Sequence, residues 1–416
     1  MILPMSILSS IYAIRRYGLK GIFEYLARAP RKRLFMKSIE RTLRPDPPSI
    51  GITLIACFDY PGSLSKVMRD LAIKLNEAGI PYQTLNIPCD NPIPSKEFGP
   101  FLTPKDDFCL NKYTHIFSIK HPIQVSDKRC KVHCIEFWEF EDGFVESCPE
   151  ALRAQNILAF SNFDRDVFRH WLPNSIGVSK ILYPFQFIHG ELAPVEETRR
   201  KYGLGTNDFI VFFNFDYESS YYRKNPEGIL YAFAQTLSDK PNARILFKTM
   251  RAKKCMAMST RLHALANKLG ISGKVTTIDD FIPQEDIVNL TNACDVYMSL
   301  HRGEGFGLGI AEAMSLGKAI ITTNYSSTTE FCNAENSVLI PYKILSVPPE
   351  QIDNDAYRFV TAWAEPDTTA AASALLRLYN DPMLRRQLGD NAKRFITDYF
   401  SPINFRKSVE DFYRNA

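Results

Sequence analysis

The sequence lacks the features that mark several large protein classes. It contains no run of 18 or more uninterrupted apolar residues, so no helix is predicted to span a bilayer. Its nine cysteines, an odd number scattered between Cys57 and Cys332, do not resemble a disulfide framework and favour a reducing cytoplasm. Glycine (20) and proline (26) are modest in number among 416 residues, of which 45% are hydrophobic, so a collagenous or disordered chain is excluded. A folded chain of this length is expected to form two domains.

The excess of positive charge is small and confined to one segment. The net charge is +4, yet residues 1–45 contain ten Lys or Arg against only Glu24 and Glu40, a net of +8. The rest of the chain is therefore mildly acidic, with a net charge of −4. A general affinity for nucleic acid is not expected, because it requires a basic face on the folded domain.

Residues 1–45 have the pattern of a basic amphipathic helical arm. Leu3, Ile7, Ile11 and Ile14 recur at the spacing of one helical face. Such a helix either lies in the headgroup region of an anionic membrane or packs on its own domain, and the pattern does not distinguish the two. The apolar residues precede the charges, which is the reverse of their order in a signal peptide. The expected location is the cytoplasm, at the inner face of the cell membrane under the first alternative.

A first α/β domain is predicted over residues 46–190. The apolar run Gly51–Phe58 is typical of a strand that is buried on both faces. A turn, a helix with one apolar stripe and a second strand at Ile80–Ile87 complete a β-α-β unit, which implies a parallel sheet. Gly62 and Ser63 belong to the first turn, at the carboxyl end of the strand, where open α/β sheets bind ligands.

A second series of alternating strands and helices begins at Phe209 and continues to Thr323. Its repeated β-α units predict a second parallel α/β domain over residues 191–395, after a polar linker. The last segment, 396–416, is expected to be a helix that crosses back to the first domain. The predicted fold class is therefore α/β, with two Rossmann-like, doubly wound parallel-sheet domains facing a ligand cleft.

The most informative segment runs from a predicted strand into a predicted helix and reads His301-Arg-Gly-Glu-Gly-Phe-Gly-Leu-Gly-Ile-Ala-Glu312. Its glycines allow the backbone to approach a ligand closely. The helix presents free N–H groups and a positive dipole end, which suit a phosphate. Glu304 and Glu312 flank this anion site, and carboxylates accept hydrogen bonds from hydroxyls. A ligand that carries both phosphates and several hydroxyls is a sugar nucleotide, which is the predicted substrate.

Other phosphate-binding motifs do not fit the spacing. The G-x-G-x-x-G pattern fails because Ile310 and Glu312 stand where its last glycine belongs. A P-loop ending at Gly317 and Lys318 would need a glycine at position 312. Taken alone, the segment is also consistent with a glycine-rich turn that carries two surface glutamates and binds nothing.

Three further patterns have a structural interpretation. Asp353-Asn-Asp355 is an Asp-x-Asp triplet of the kind that holds metals, but its polar, proline-rich setting favours a loop. Cys130, His133 and Cys134 have loosely metal-like spacing without a second pair, so buried side chains are the favoured interpretation. Trp138 either stacks on a sugar or fills the core, and the core is favoured.

Several stretches together resemble the retaining GT-B glycosyltransferases of family 4, in particular members that build bacterial surface polysaccharide. Glu304 and Glu312 match the E-x7-E signature of that family, and Glu330 follows a glycine and a strand as it does there. The stretch Arg223-Lys-Asn-Pro-Glu-Gly resembles the lysine-bearing segment of the family. The similarity extends over about residues 50–400.

The resemblance implies roles for the candidate residues. Glu304 is implied to contact the hydroxyls of the donor sugar, Glu312 to hold the ribose and Lys224 to supply positive charge to the diphosphate. Lys248 is a further candidate for a catalytic cation. The other donor-binding candidates are Arg223, Gly305, Phe306, Gly307, Leu308, Phe281 and Ile282. The acceptor-side or phosphate-side candidates are Gly62, Ser63 and Glu139. The resemblance implies neither a metal nor a cofactor.

Two positions depart from the family pattern. The family usually has an arginine a few residues before the lysine, whereas here the stretch reads Asn214-Phe-Asp-Tyr-Glu-Ser and the nearest arginine is Arg223. Gly309 stands where proline is commoner.

The resemblance and the residues together lead to one expected function. We expect a retaining, metal-independent glycosyltransferase that moves a sugar from a nucleotide-sugar donor to a glycan or lipid-linked acceptor in polysaccharide or lipopolysaccharide biosynthesis. The alternative is a non-catalytic sensor or scaffold on the same fold, because a fold does not determine a function. The presence of both Glu304 and Glu312 favours the enzyme.

Overall fold

The computed structural model describes residues 51–59, 63–87, 99–104, 107–108, 112–120, 122–123, 125, 129–188, 190–279 and 281–415. The predicted basic arm at residues 1–45 and the candidate Gly62 lie outside the described residues. The same holds for the side chain of Ser63.

Strands and helices alternate along most of the described chain. The strands are β1 (Ile52–Ala56), β2 (Tyr82–Asn86), β3 (His115–Ile119), β4 (Lys131–Ile135), β5 (Asn156–Ala159), β6 (Gly177–Lys180), β7 (Phe209–Asp216), β8 (Ala243–Met250), β9 (Val275–Ile278), β10 (Val296–Ser299), β11 (Ala319–Thr323), β12 (Val338–Ile340), β13 (Tyr342–Ser346) and β14 (Ala362–Pro366). The helices are α1 (Ser63–Glu77), α2 (Phe144–Ser147), α3 (Asn162–Trp171), α4 (Val195–Lys201), α5 (Tyr221–Lys224), α6 (Pro226–Thr236), α7 (Met256–Lys268), α8 (Gln284–Ala293), α9 (Leu308–Ser315), α10 (Thr368–Asn380), α11 (Pro382–Tyr399) and α12 (Pro402–Asn415). Short 3₁₀ turns connect several of these elements.

The chain divides into two compact units. The first consists of the described residues up to Phe137, of Phe144–Gln186, and of the chain from Phe400 onward. The second consists of Trp138–Gly143 and Phe187–Tyr399. Helix α12 therefore belongs to the first unit, whereas the short segment 138–143, which the sequence analysis assigned to the first domain, belongs to the second.

The first unit is built on a six-stranded parallel sheet with the order β2-β1-β3-β4-β5-β6. Every residue of β1 is buried, as expected for a strand covered on both faces. Helix α1 follows β1 and ends before Gly79, whose φ of +63° lies in the left-handed region that suits a helix C-terminus. The strand order changes direction between β1 and β3, so the switch point of this sheet lies at the carboxyl ends of those strands.

Helix α12 closes the first unit. The Tyr413 hydroxyl donates to the Gly51 carbonyl at 2.7 Å, and Arg406 donates to the carbonyl at the end of α1. The ring of Phe412 lies edge-on to His115 and His133, with centroids 5.2 Å and 4.9 Å away. The two histidines hydrogen-bond each other at 3.0 Å, and burial lowers the pKa of His133 to about 3. They are neutral core side chains.

The cysteines of the described residues are mostly thiols. Six of them, Cys130, Cys134, Cys148, Cys255, Cys294 and Cys332, are unbridged. Cys57 is disulfide-bonded, and its partner lies outside the described residues. One bridge does not make a disulfide framework, but the sequence did not indicate it, because spacing along the chain does not show which thiols meet in space.

The second unit is built on another six-stranded parallel sheet, with the order β12-β11-β10-β7-β8-β9. Its central strands are apolar, and every residue of β10 and β11 is buried. The predicted α/β fold class with two parallel sheets is thereby confirmed. An antiparallel ribbon of β13 and β14 stands apart from the sheet.

Within the described part of the chain, no helix combines the length and the apolar character needed to cross a membrane.

Truncating Phe412 tests how much α12 stabilises the first unit. Phe412 is 3% exposed, so Phe412→Ala removes a buried ring and leaves a cavity between the helix and the sheet. We expect the free energy of unfolding of this unit to fall by about 3–5 kcal/mol, measured by urea denaturation. Ile403→Ala on the same helix is the control, because Ile403 is 80% exposed and its loss should change stability by less than about 0.5 kcal/mol. Equal effects of the two changes would contradict the packing described here.

Candidate functional site

The candidate site lies where the strand order of the second sheet changes direction. Strands β7 and β10 are neighbours, and β10 is joined on its other side to β11. In a parallel sheet, the loops that follow adjacent strands on either side of the switch point form the usual ligand crevice. The loop after β7 carries Arg223 and Lys224, and the loop after β10 carries Glu304. The structure thus brings together residues that are 80 positions apart in sequence.

Two residues in the left-handed region flank the short helix α5. Ser220 has a φ of +67° and Asn225 a φ of +53°. The Asn225 side chain accepts from the Gly228 amide at 3.1 Å, which caps α6, and donates to the Leu300 carbonyl at 2.8 Å, just after β10. The hydrogen bonds of Asn225 therefore connect the loop after β7 to the end of the neighbouring strand, and Lys224 is the residue that precedes Asn225.

Glycines shape the loop after β10. A side chain at Gly303 would collide with the Glu139 carbonyl, since an added Cβ would lie 2.5 Å from that oxygen. Gly307 has a φ of +91° and precedes α9 without a side-chain cap, so the first amides of this helix are left to other acceptors. At Gly309 the space of a Cβ is taken by the Tyr297 hydroxyl, which donates to Asn214 at 2.6 Å. That contact leaves no space for a side chain at position 309.

The centre of the site is a salt bridge between Lys224 and Glu304. The Lys224 ammonium lies 2.5 Å from Glu304 Oε2, and the Arg223 guanidinium lies 3.6 Å from the same oxygen. The side chains of Lys224 and Glu304 are 16% and 14% exposed, whereas that of Arg223 is 3% exposed. The side chains of Lys224 and Glu304 are therefore partly accessible, and that of Arg223 is buried.

The neighbouring cations keep Glu304 ionised. Burial alone would raise the pKa of this carboxyl, but Lys224 and then Arg223 outweigh burial and bring the pKa down from 4.5 to about 2. His301 follows β10 and is fully buried, and burial lowers its pKa to about 3, so it is a neutral side chain. The site at neutral pH consequently holds a carboxylate that can accept hydrogen bonds from hydroxyl groups.

Arg223 connects the two loops instead of pointing outward. Its guanidinium donates to the Gly303 carbonyl at 2.8 Å and to the backbone and side-chain oxygens of Ser219 at 2.8 and 2.9 Å. It also lies 5.4 Å from the centre of the Tyr357 ring. In return, the Arg302 amide donates to the Arg223 carbonyl at 2.8 Å. These contacts hold the loop after β7 against the loop after β10.

The segment between β13 and β14 reaches the same cluster, which the sequence analysis did not foresee. Asp353 accepts from the Ser220 hydroxyl at 2.5 Å and from the Tyr222 amide at 3.3 Å. Burial raises the pKa of the Tyr357 hydroxyl, and Glu139 is its hydrogen-bonding neighbour. The Asp-x-Asp triplet was correctly interpreted as a loop, but no signal in the sequence shows that this loop closes over Ser220.

Glu139 is the one acceptor-side candidate whose surroundings the structure describes fully. It lies in the segment Trp138–Gly143, which belongs to the second unit, and its charge acts on both Arg223 and Lys224. Trp138 next to it is 2% exposed and donates to the Asp142 carbonyl at 2.8 Å, in agreement with a core role.

The remaining donor-side candidates are spread along the carboxyl edge of the sheet. Lys248 near the end of β8 is 3% exposed, and its ammonium donates to the Thr249 carbonyl at 2.6 Å. Phe281 follows β9 and is 89% exposed, while Ile282 is half-buried. The neighbouring loop is held by Asp279, which accepts from the Thr249 hydroxyl at 2.8 Å. An aromatic ring this exposed has no packing role.

The glycine-rich segment contains buried residues as well as half-buried ones. Phe306 is 7% exposed, and its ring lies 5.3 Å from that of Phe331, so this side chain packs inward. Leu308 begins α9, and Glu312 is half-buried one turn further along the helix. Gly305 is buried within the loop. Among the described residues, no group of three or more His, Cys, Asp or Glu side chains is placed to hold a metal ion.

Comparison with known proteins identifies one domain of the chain. Residues 194–395 match the family described as "Glycosyl transferases group 1". The sequence is 26% identical over 127 residues to the serotype-specific mannosyltransferase WbdA of Escherichia coli. That alignment covers 30% of this chain and 15% of WbdA, so the chain spans only a small part of the relative it matches.

Solved structures share the fold over most of the chain. Anabaena HepE in complex with UDP and glucose is 15% identical, with a TM-score of 0.58, over 88% of this chain and all of HepE. WaaG, a glycosyltransferase involved in lipopolysaccharide biosynthesis, is 14% identical, with a TM-score of 0.54, over 88% of this chain and all of WaaG. At this level of identity the similarity establishes the GT-B fold.

Neutralising Glu304 tests the salt bridge. The pKa of Glu304 is about 2 in the folded protein and 4.5 when unperturbed, so its stabilisation is present above pH 4.5 and is lost as the pH falls towards 2. We expect Glu304→Gln to lower the free energy of unfolding of the second unit by about 2–3 kcal/mol at pH 7, and by roughly half as much at pH 3. Urea denaturation at the two pH values measures both differences.

The control for this prediction is the exposed pair of Lys201 and Asp286, whose side chains are 55% and 21% exposed. Asp286→Asn should change stability by less than about 1 kcal/mol at either pH, because solvent screens such pairs. A Glu304→Gln protein that is as stable as the wild type at pH 7 would show that the buried pair is not stabilising.

Proposed function

We propose, from the Glycosyl transferases group 1 domain at residues 194–395, that this protein is a glycosyltransferase that moves a sugar from a nucleotide-sugar donor to a glycan or lipid-linked acceptor. The observation that carries the proposal is the placement of Lys224 and Glu304, with the glycine-rich loop and the start of α9, at the switch point of the second sheet. The cation and the helix amides suit a diphosphate, and the carboxylate suits hydroxyls.

The proposed mechanism uses these groups to stabilise charge. The bond between the anomeric carbon and the diphosphate breaks, the diphosphate leaves with the electron pair, and positive charge develops on the sugar. Lys224 and the amides at the start of α9 bind the negative charge on the departing diphosphate. The acceptor hydroxyl then forms the new glycosidic bond and gives its proton to an oxygen of the departing diphosphate. Glu304 accepts from the hydroxyls of the donor sugar and orients its ring.

The other roles are proposed in keeping with the family resemblance. Glu312 holds the donor ribose, the backbone around Ile282 meets the base, and Glu139 contacts the acceptor. The exposed ring of Phe281 offers a surface on which a base stacks. The reaction is proposed to retain the anomeric configuration and to require no metal, with Lys224 neutralising the diphosphate instead.

The relatives support a role in bacterial surface polysaccharide. WbdA is named a serotype-specific mannosyltransferase, and WaaG a glycosyltransferase involved in lipopolysaccharide biosynthesis. HepE was solved with UDP and glucose, which supports a nucleotide sugar as the donor class. We propose that this chain acts in the cytoplasm on an acceptor of such a pathway.

Donor turnover tests the proposal directly. Thermal shift with UDP-, GDP- and dTDP-sugars first identifies the donor, because a ligand stabilises the state that it binds. Release of nucleotide by the purified protein is then measured with and without EDTA. We expect turnover in both conditions, and we expect Glu304→Gln and Lys224→Ala each to lower the rate on the order of 10²-fold, as loss of a transition-state contact does.

The control and the contrary outcomes separate the hypotheses. Asp286→Asn, which disrupts a pair at the start of α8, should leave the rate within about twofold, as expected of a surface change. A wild-type protein that binds a nucleotide sugar without releasing nucleotide would be a sensor. Full turnover by Glu304→Gln would refute the role given to that residue, and loss of turnover with EDTA would refute metal independence.

We also propose that residues 1–45 bind an anionic membrane surface, on the strength of their charge and apolar pattern. Removal of residues 1–45 should abolish sedimentation with anionic vesicles while leaving donor turnover in solution unchanged. Replacing Arg31, Lys32 and Arg33 by Gln should weaken the sedimentation most at low salt, because salt screens the electrostatic attraction that these residues supply. Equal vesicle binding by the truncated and full-length chains would contradict this proposal.

A further inference from the structure

Backbone strain in the second unit is concentrated at one edge of its sheet. Among its described residues, the non-glycine residues with positive φ are Ser220, Asn225, Arg251 and Ser326. Each of them follows the carboxyl end of a strand, namely β7, β8 or β11. L-residues rarely adopt this conformation, and it persists only where surrounding contacts enforce it. Two of the four, Ser220 and Ser326, use their hydroxyls on the loops that carry Lys224 and Glu304.

Ser220 holds the cation-bearing turn. Its hydroxyl accepts from the Arg223 amide at 3.3 Å, and its carbonyl accepts from the Lys224 amide at 3.1 Å. The same hydroxyl donates to Asp353 at 2.5 Å, which directs its hydrogen away from the turn and leaves its lone pairs for the amide. Ser220 is 3% exposed.

Ser326 holds the carboxylate-bearing loop from the other side. Its hydroxyl accepts from the Glu304 amide at 2.9 Å, and the next amide, that of Ser327, donates to the Glu304 carbonyl at 3.3 Å. Ser326 is also 3% exposed. The loop after β11 therefore forms hydrogen bonds with both the amide and the carbonyl of Glu304.

We infer that Ser220 and Ser326 are positioning residues. They hold Lys224 and Glu304 at the relative positions that the reaction requires, although neither serine touches the substrate. This inference rests on the proposed function, since the relative position of Lys224 and Glu304 affects the rate only if both act on a donor. Serine suits the role because it combines a short hydroxyl with a small side chain that tolerates the strained backbone better than a branched one. A glycine would adopt the same backbone without strain but would lack the hydroxyl.

The serine-to-glycine variants separate positioning from stability. Ser220→Gly and Ser326→Gly remove the hydroxyl and the strain together, so the melting temperature should stay the same or rise. The turnover number for the donor should nevertheless fall about 10- to 100-fold, with its KM changed less than about threefold, as expected when a misplaced group weakens the transition state more than the ground state. Ser220→Ala and Ser326→Ala keep the strain and lose the hydroxyl, so both activity and melting temperature should fall.

The matched control is Arg251→Gly. Arg251 has a φ of +65°, so this change also relieves strain at the same edge of the sheet. Its side chain pairs with Asp216 and Glu218, at the end of β7 and the start of the loop that follows it, and with neither Lys224 nor Glu304. Turnover within about twofold of the wild type is expected. An equal fall in all three glycine variants would show that loss of rigidity, and not the serine hydroxyls, lowers the rate.

A second measurement does not depend on turnover. Acetylation of Lys224 by an N-hydroxysuccinimide ester, followed by mass spectrometry, reports whether its ammonium remains paired with Glu304. We expect acetylation at least threefold faster in Ser220→Gly and Ser326→Gly than in the wild type or Arg251→Gly. Unchanged acetylation would overturn the positioning role. Faster acetylation in a protein that turns over no donor would support the positioning and refute the proposed function.

Discussion

The salt bridge between Lys224 and Glu304 forms only if two loops that are distant in sequence meet above neighbouring strands. Strands β7 and β10 supply that neighbourhood, because the order of the parallel sheet reverses between them. The surrounding contacts all act on these two loops. Asn225 bonds the end of β10, Arg223 bonds Gly303, and the loop after β11 bonds the peptide of Glu304. The order of the strands therefore brings these two charged side chains together.

The electrostatics of the Lys224–Glu304 salt bridge suit a reactive site better than a purely structural ion pair. A buried carboxylate costs free energy unless cations offset the loss of water, and here two cations do so. One of them, Arg223, donates to backbone carbonyls and is buried, which leaves Lys224 as the cation whose side chain is partly accessible. The strained residues on the same edge are a further cost, of about 1–3 kcal/mol each. Proteins tolerate such costs mainly where geometry serves function.

Sequence patterns predicted the regular elements of both sheets well. Helix Leu308–Ser315 and strand Ala319–Thr323 lie within the predicted series of strands and helices, where apolar runs and flanking glycines mark them clearly. Strand Gly177–Lys180 was missed, since it begins with glycine and none of its residues is buried. Strand Tyr342–Ser346 was missed for a related reason, as it is exposed along its whole length. Neither has the alternation or the apolar run by which a strand is identified.

The sequence by itself determined the fold class and indicated Glu304 as a candidate through the glycine-rich segment, and the family resemblance added Lys224. The fold class and Glu304 could be predicted because strand burial, glycine conformation and the chemistry of a carboxylate are local properties, whereas Lys224 rested on the resemblance. Only the tertiary structure decided that Lys224 and Glu304 meet, that Arg223 turns inward, and that Ser220, Ser326 and Tyr357 surround them. These facts depend on which strands are adjacent and on how an insertion closes over a loop. Both are long-range contacts, to which no local pattern along the chain corresponds.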